Sequence, residues 1–237
     1  PHIPVHLGAM GATIQDILKK YKNLRSDCIY LSNHPYKGGS HLNDITVVSA
    51  IYDESGNLIG YLANRAHHAE LGGIRPGSMP PDAQCLFEEG VVIDPMYIVK
   101  SGKVNWGEVR ALLIESPYPS RSIETNIADL AAALAANARG TNALEALARR
   151  YGLEDMETYM NRLWMESSQG VKMALKKLGD GIYSAKENLD DGTAIVVNIE
   201  VESGNAFVDW TGTGGVHSGS LNATPAIVRS AVLYVLR

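Results

Sequence analysis

An α+β fold, with mixed sheets, an N-terminal hairpin region and a central helical hairpin, is predicted by three features of the 237-residue sequence. Runs rich in β-branched residues fill parts of the first and last thirds, and two long helical patterns fill the middle. Strands and helices do not alternate as a doubly wound sheet requires. With 45% hydrophobic and 20% charged residues the chain has ordinary globular composition, and its length suits one domain, residues 1–237.

From Gly11 to Tyr21, Ile14, Ile17 and Leu18 recur at the i, i+3, i+4 spacing of an amphipathic helix. "DCIYLSN" (27–33) has strand composition, and "HPYKGG" (34–39) carries the proline and glycines of a turn. "ITVVSAIY" (45–52) and "LIGYLANR" (58–65) flank "DESGN", where Gly56 supplies the positive φ of a hairpin connection. "AHHAELGGIRPGSMPPDAQ" (66–84) has no periodicity and is expected to be an irregular loop of the kind that carries function.

Residues 126–152 form an alanine-rich helical pattern with Ile127, Leu130, Ala131 and Leu134 on one face and Gly152 as a stop. A second pattern, 153–179, places Met156, Met160, Leu163 and Trp164 on its apolar face. Strands return in "TAIVVNIEVE" and "AFVDW" around an "SGN" turn, before the glycine-rich "TGTGGVHSGSLNAT". The last twelve residues have helical spacing up to Arg237, so the chain is expected to be a piece of a longer subunit.

The net charge of −5 argues against a nucleic-acid binder, whose surface is normally basic. No apolar run is long enough to span a bilayer and no secretory signal opens the chain, so neither nucleic acid nor membrane is expected as a partner and the cytoplasm is the expected compartment. Cys28 and Cys85 have no metal or disulfide spacing and are expected to be buried.

Six of the seven histidines (His2, His6, His34, His41, His67 and His68) lie in the first third. Histidine is the commonest transition-metal ligand, and Asp44 adds an oxygen donor three residues after His41. On a straight strand that spacing points the two side chains to opposite faces, but Gly38 and Gly39 place the pair on a bend, where they can converge. A hairpin turning at Gly56 returns "NRAHH" to their side, because paired strands lie only about 5 Å apart. Adjacent residues face opposite ways, so one of His67 and His68 is expected as a ligand, and the other supports a carboxylate or faces substrate. Two histidines and one carboxylate leave positions open, which suits a catalytic Mn, Fe or Zn ion and not a closed structural zinc site.

"TGTGGVHSGS" lacks the lysine of a phosphate loop and reads better as a tight turn open to a ligand or another chain. In "SPYPSRSIETNIADL", Arg121 and Asn126 precede a helix and can meet an anion, though capping by Ser122 or Thr125 is the stronger reading.

"HIPVHLGAM", "NHPYKGGSHLNDITVV", "NRAHHAELGGIRPGSMPPDA", "EEGVVIDP", "PYPSRSIETNIADLAAALAAN", "DWTGTG" and "GSLNAT" together resemble the hydantoinase B family nearly end to end. That family is the metal-bearing component of ATP-dependent N-methylhydantoinases, 5-oxoprolinases and acetone or acetophenone carboxylases. The resemblance implies a divalent metal (Mn, Zn or Fe) on His41, Asp44 and His67, the favoured one of the histidine pair, with His68 and His34 as possible further metal or substrate contacts. It also implies a hetero-oligomer with a hydantoinase A-type subunit that binds ATP and phosphorylates the carbonyl of a small cyclic amide. A ketone carboxylase subunit and a non-catalytic assembly subunit are the alternative readings. Where the family reads Asn-Asp-Pro-Tyr, this chain has Asn33, His34, Pro35 and Tyr36, so the role of that aspartate does not carry over.

Overall fold

A computed structural model of the chain describes residue 6 and residues 8–237; His2 lies outside the described residues. Contacts divide the chain into two compact units, Pro1–Leu153 with Ser218–Val235, and Glu154–His217 with Leu236–Arg237.

The first unit is built on a five-stranded sheet in the order β3-β2-β1-β4-β5. Its strands are β1 (Ile29–Ser32), β2 (Asp44–Tyr52), β3 (Leu58–His67), β4 (Met96–Lys100) and β5 (Lys103–Val104). Its helices are α1 (Met10–Tyr21), a single turn α2 (Leu86–Glu89), α3 (Trp106–Glu115) and α4 (Ile123–Tyr151). Helix α5 (Leu153–Leu178) begins the second unit, with strands β6 (Gly181–Asn188), β7 (Ala194–Glu202) and β8 (Asn205–Asp209) in that spatial order. Helix α6 (Pro225–Leu236) returns the chain to the first unit. The class is α+β as the sequence predicts, and every strand pairing is antiparallel.

Both faces of the first sheet are covered, so β2 is buried over eight consecutive residues. On one face Ile45 and Val47 join Leu31, Val109, Leu113 and Leu130 in a core to which α3 and α4 contribute. On the other, Val48 and Ala50 pack with Tyr30 and Ile17 of α1. Alternation along β2 therefore sends Asp44 and Thr46 to the α1 face, at the polar end of that second core.

Several expectations change. Cys28 is buried but Cys85 is exposed, because it sits just ahead of the short surface helix α2. On α4, Leu130 is buried and Ile127 and Leu134 pack on the core, but Ala131 faces out. The apolar face read into 153–179 is uncovered: no residue of α5 is buried, and Trp164 is 73% exposed. Strands β4, β5 and β6 and helix α3 lack strong periodicity in sequence and emerge only from their pairing and packing.

Candidate metal centre

The approach to β2 is set by two glycines. Gly38 has φ +86°, and a Cβ there would lie 2.2 Å from the backbone nitrogen of Thr13 on α1. At Gly39 a Cβ would fall 2.6 Å from the His34 carbonyl oxygen, which accepts the Gly39 N–H. The chain then turns, with the Asp44 N–H donating to the His41 carbonyl at 3.0 Å. This bend brings the two side chains together, His41 Nδ1 lying 2.6 Å from Asp44 Oδ2.

The hairpin brings the third group. Tyr52 pairs with Leu58, Ile51 with Gly60, and from there the register runs without a break to Asp44 opposite His67. The extra residue is Ile59, a one-residue bulge in β3. Had the pairing at Tyr52 continued unshifted, Ala66 would stand opposite Asp44. The His67 Nδ1 lies 3.2 Å from Asp44 Oδ1, and the His41 and His67 ring centroids are 4.9 Å apart.

One ligand atom from each of His41, Asp44 and His67 lies within 4.8 Å of the others. The Asp44 side chain is 1% exposed, and its Oδ2 has no hydrogen-bond partner despite the nearby His41 nitrogen. A buried carboxylate oxygen left so is unfavourable, and a short N···O approach without hydrogen-bond geometry is how two ligands of one cation stand. Two imidazole nitrogens and a carboxylate fit Mn, Fe or Zn with further positions open. Burial pushes the Asp44 carboxyl up, but the imidazoles of His41, His6 and His67 reverse this and hold it below the usual carboxylate range.

The remaining histidines separate. His68, next along the chain, points to the α4 face and is buried; its Nδ1 sits 3.2 Å from Asn126 Nδ2 and 3.7 Å from Asp129 Oδ2. His6 approaches the cluster, with Nδ1 3.7 Å from Asp44 Oδ2 and 3.4 Å from Ser40 Oγ. His34 is not brought into the cluster among the described residues, and its Nδ1 is buried with no hydrogen-bond partner. Its neighbour Asn33 is instead a latch, its amide donating to the Leu42 and Val91 carbonyls and accepting from the Ile93 N–H.

Burial, and then the charge of Lys37, push His34 below its ordinary value. In the unfolded chain it titrates near 6.5, so below about that pH the unfolded state binds more protons than the folded one. Its contribution to stability is therefore present above about pH 6.5 and lost progressively as pH falls from that value through the lowered value of the folded state. Burial shifts His6 and His68 the same way. The thermal midpoint is expected to fall from about pH 7 to about pH 5, and His34→Gln to flatten that fall. An unchanged slope would mean that His34 is not held neutral.

Sequence reasoning passed over Arg65. Paired with Thr46 and two residues before His67, it spans from β3 to α1, donating to Thr46 Oγ1 (2.7 Å), Ser40 Oγ (3.0 Å), Thr13 Oγ1 (2.7 Å) and the Gly38 carbonyl (3.0 Å). It thus ties the bend that carries His41 to the strand that carries His67. The only signal was its place on the Asp44 face of the hairpin, at even spacing from His67.

Arg121 and Asn126 are built into the fold. Arg121 donates to Glu70 Oε1 (2.7 Å) and the Gly73 carbonyl (2.6 Å), and Asn126 donates to the Glu70 carbonyl (2.8 Å). They tie the loop after β3 to the start of α4. Ser122 is the N-cap residue of α4, but its side chain makes no capping hydrogen bond.

The hydantoinase B/oxoprolinase family profile matches residues 1–237. 5-Oxoprolinase 1 of Arabidopsis thaliana is 36% identical over 265 residues, covering all of this chain and 21% of that protein. The 5-oxoprolinase of Saccharomyces cerevisiae is 38% identical over 250 residues, with 100% and 19% covered. The chain therefore spans about a fifth of the length of these relatives. Among solved structures, the ATP-dependent caprolactamase from Pseudomonas jessenii matches with a TM-score of 0.88 at 21% identity, over 98% of this chain and 40% of that one. That likeness is one of fold.

Proposed function

The chain belongs to the hydantoinase B/oxoprolinase family, and on that premise we propose that it is the metal-bearing part of an ATP-dependent hydrolase of small cyclic amides of the 5-oxoproline or hydantoin type. The observation that carries the reading is Asp44: buried, ionised, with one oxygen unpartnered and imidazole nitrogens from a bend and from a neighbouring strand at 2.6 and 3.2 Å. His41, Asp44 and His67 would hold a divalent ion, which supplies Lewis acidity toward water and the ring carbonyl. Asp44 orients His67 through the 3.2 Å hydrogen bond, and Arg65 holds the bend at Ser40 beside His41. ATP belongs to an A-type domain or subunit outside this chain, where phosphorylation of the ring carbonyl oxygen would make phosphate the leaving group.

The test is metal analysis of the intact protein and of its His41→Ala and Asp44→Ala variants, with ATP-dependent ring opening of 5-oxoproline and hydantoin as the second readout. Wild type is expected to bind metal stoichiometrically and to open one of the rings without bicarbonate, and both variants to lose metal and activity. Equal metal in all three proteins would remove the site. Dependence on bicarbonate would replace the hydrolase by a carboxylase, and full activity in both variants would leave this chain an assembly role.

A further inference from the structure

Beside the His41 imidazole lies a pocket of about 160 Å³ within the first unit. His41 and Ser40 line it from the bend before β2, Tyr36 from the turn before that, and Met79, Leu86 and Glu89 from the segment after β3. Its volume is that of about five waters, enough for a five- or six-membered ring. Tyr36, Met79 and Leu86 give it an apolar side against which a ring can lie, and Ser220, Asn222 and Thr224 complete a polar one.

Glu89 is the acid among the described lining residues, and its carboxylate makes no hydrogen bond or ion pair with them or with the other described residues. Burial pushes its carboxyl up, with no cation to oppose the shift. Its backbone is fixed nonetheless. The Met79 N–H donates to the Glu89 carbonyl and the Ile74 N–H to the Glu88 carbonyl, each at 2.9 Å. Gly73, at φ +87°, lies so close that a Cβ would be 2.8 Å from the Glu89 carbonyl oxygen.

The segment hydrogen-bonded to Glu89 is strained. Ser78 and Met79 are consecutive non-glycine residues at φ +63° and +51°, a conformation that L side chains rarely adopt. Ser78 Oγ holds the strain by accepting from the Leu71 N–H and donating to the Gly72 carbonyl, both at 2.8 Å. Strain maintained by surrounding hydrogen bonds, next to an unpaired carboxylate and a candidate metal ligand, marks a built site.

We propose that this pocket receives the ring of the cyclic amide and that Glu89 accepts a hydrogen bond from its ring N–H. The inference rests on the functional reading above. A half-buried acceptor with no donor among the described residues is open to one from a ligand, and a cyclic amide carries that donor on the atom next to the carbonyl that must reach the metal side at His41. Glu89 would therefore choose the orientation in which the ring enters.

The experiment uses the intact protein and whichever of 5-oxoproline and hydantoin the wild type opens, with the fully ring-N-methylated form as competitor. Glu89→Ala is expected to lower kcat/KM roughly tenfold to a hundredfold, with metal content and thermal midpoint as in wild type. The N-methylated ring, which has no N–H to offer, is expected to inhibit wild type and variant equally. Glu89→Gln, which keeps a neutral acceptor of the same size, is expected to fall between them and carries the test if the alanine variant does not fold. Unchanged kcat/KM in both variants of an active enzyme, or an equal loss of affinity for the N-methylated ring, overturns the role of Glu89 alone. A wild type that opens neither ring overturns the functional reading and this inference with it.

Discussion

Asp44→Asn is expected to remove metal binding and to lower ATP-dependent turnover by about a thousandfold or more, while the metal-free protein also loses the stability that the ionised carboxylate gains from the neighbouring imidazoles. Both losses have one origin. In the metal-free fold Asp44 is a buried carboxylate with only Oδ1 in a hydrogen bond, at 3.2 Å to His67, and Oδ2 without a partner. An unsatisfied buried oxygen costs about 1–3 kcal/mol, more when charged. The imidazoles of His41, His6 and His67 more than offset that cost, since they hold the carboxyl below its usual range; asparagine keeps the shape but loses the charge they favour, so that stabilisation and the anionic ligand disappear together. Metal content and unfolding of the stripped proteins, measured together, separate this from a structural role. A stripped variant as stable as stripped wild type would mean that the imidazoles do not stabilise the charge, and one that keeps metal would make Asp44 a packing residue.

Gly38→Ala is expected to destabilise the fold by more than about 4 kcal/mol, against about 1 kcal/mol for Gly56→Ala. Both glycines have positive φ, +86° and +83°. They differ in surroundings. A Cβ at Gly56 meets nothing within 4 Å, whereas at Gly38 it would meet Thr13 and Ala12 backbone atoms at 2.2 to 2.7 Å. Backbone cannot rotate aside as a side chain can, so α1 and the bend must part. That parting would also break the hydrogen bonds from Thr13 and Arg65 to the Gly38 carbonyl, at 2.6 and 3.0 Å. Denaturant midpoints of the two variants measure the difference, and equal midpoints would mean that the contact between bend and helix carries no energy.

The β2–β3 hairpin was legible because alternation, β-branched composition and the "DESGN" turn all point the same way. The convergence of His41 with Asp44 was legible as well, because two glycines before a strand imply a bend. Which histidine faces Asp44 was not, since a two-residue period assigns sides only once register is known, and Ile59 shifts that register. Nor was Glu89, whose place depends on stitching between residues 71–79 and 88–91 that no periodicity announces. Apolar spacing misled at α5, where a helical stripe was equated with a buried one although Met160, Leu163 and Trp164 are exposed.

The bulge at Ile59 gives the far end of the hairpin authority over the site. Between Ile59 and His67 run eight residue steps, roughly 26 Å of strand, and along them the pairing behaves as a vernier whose zero is set at the turn. Loop tips usually tolerate gained or lost residues. Here a deletion taken up by drawing Leu58 into the turn, with the bulge kept, would touch no ligand, yet it would slide His68 opposite Asp44 and turn His67 to the other side of the sheet. Length variation in "DESGN" is therefore constrained by chemistry at the opposite end of the strand, not by the surface on which the turn lies.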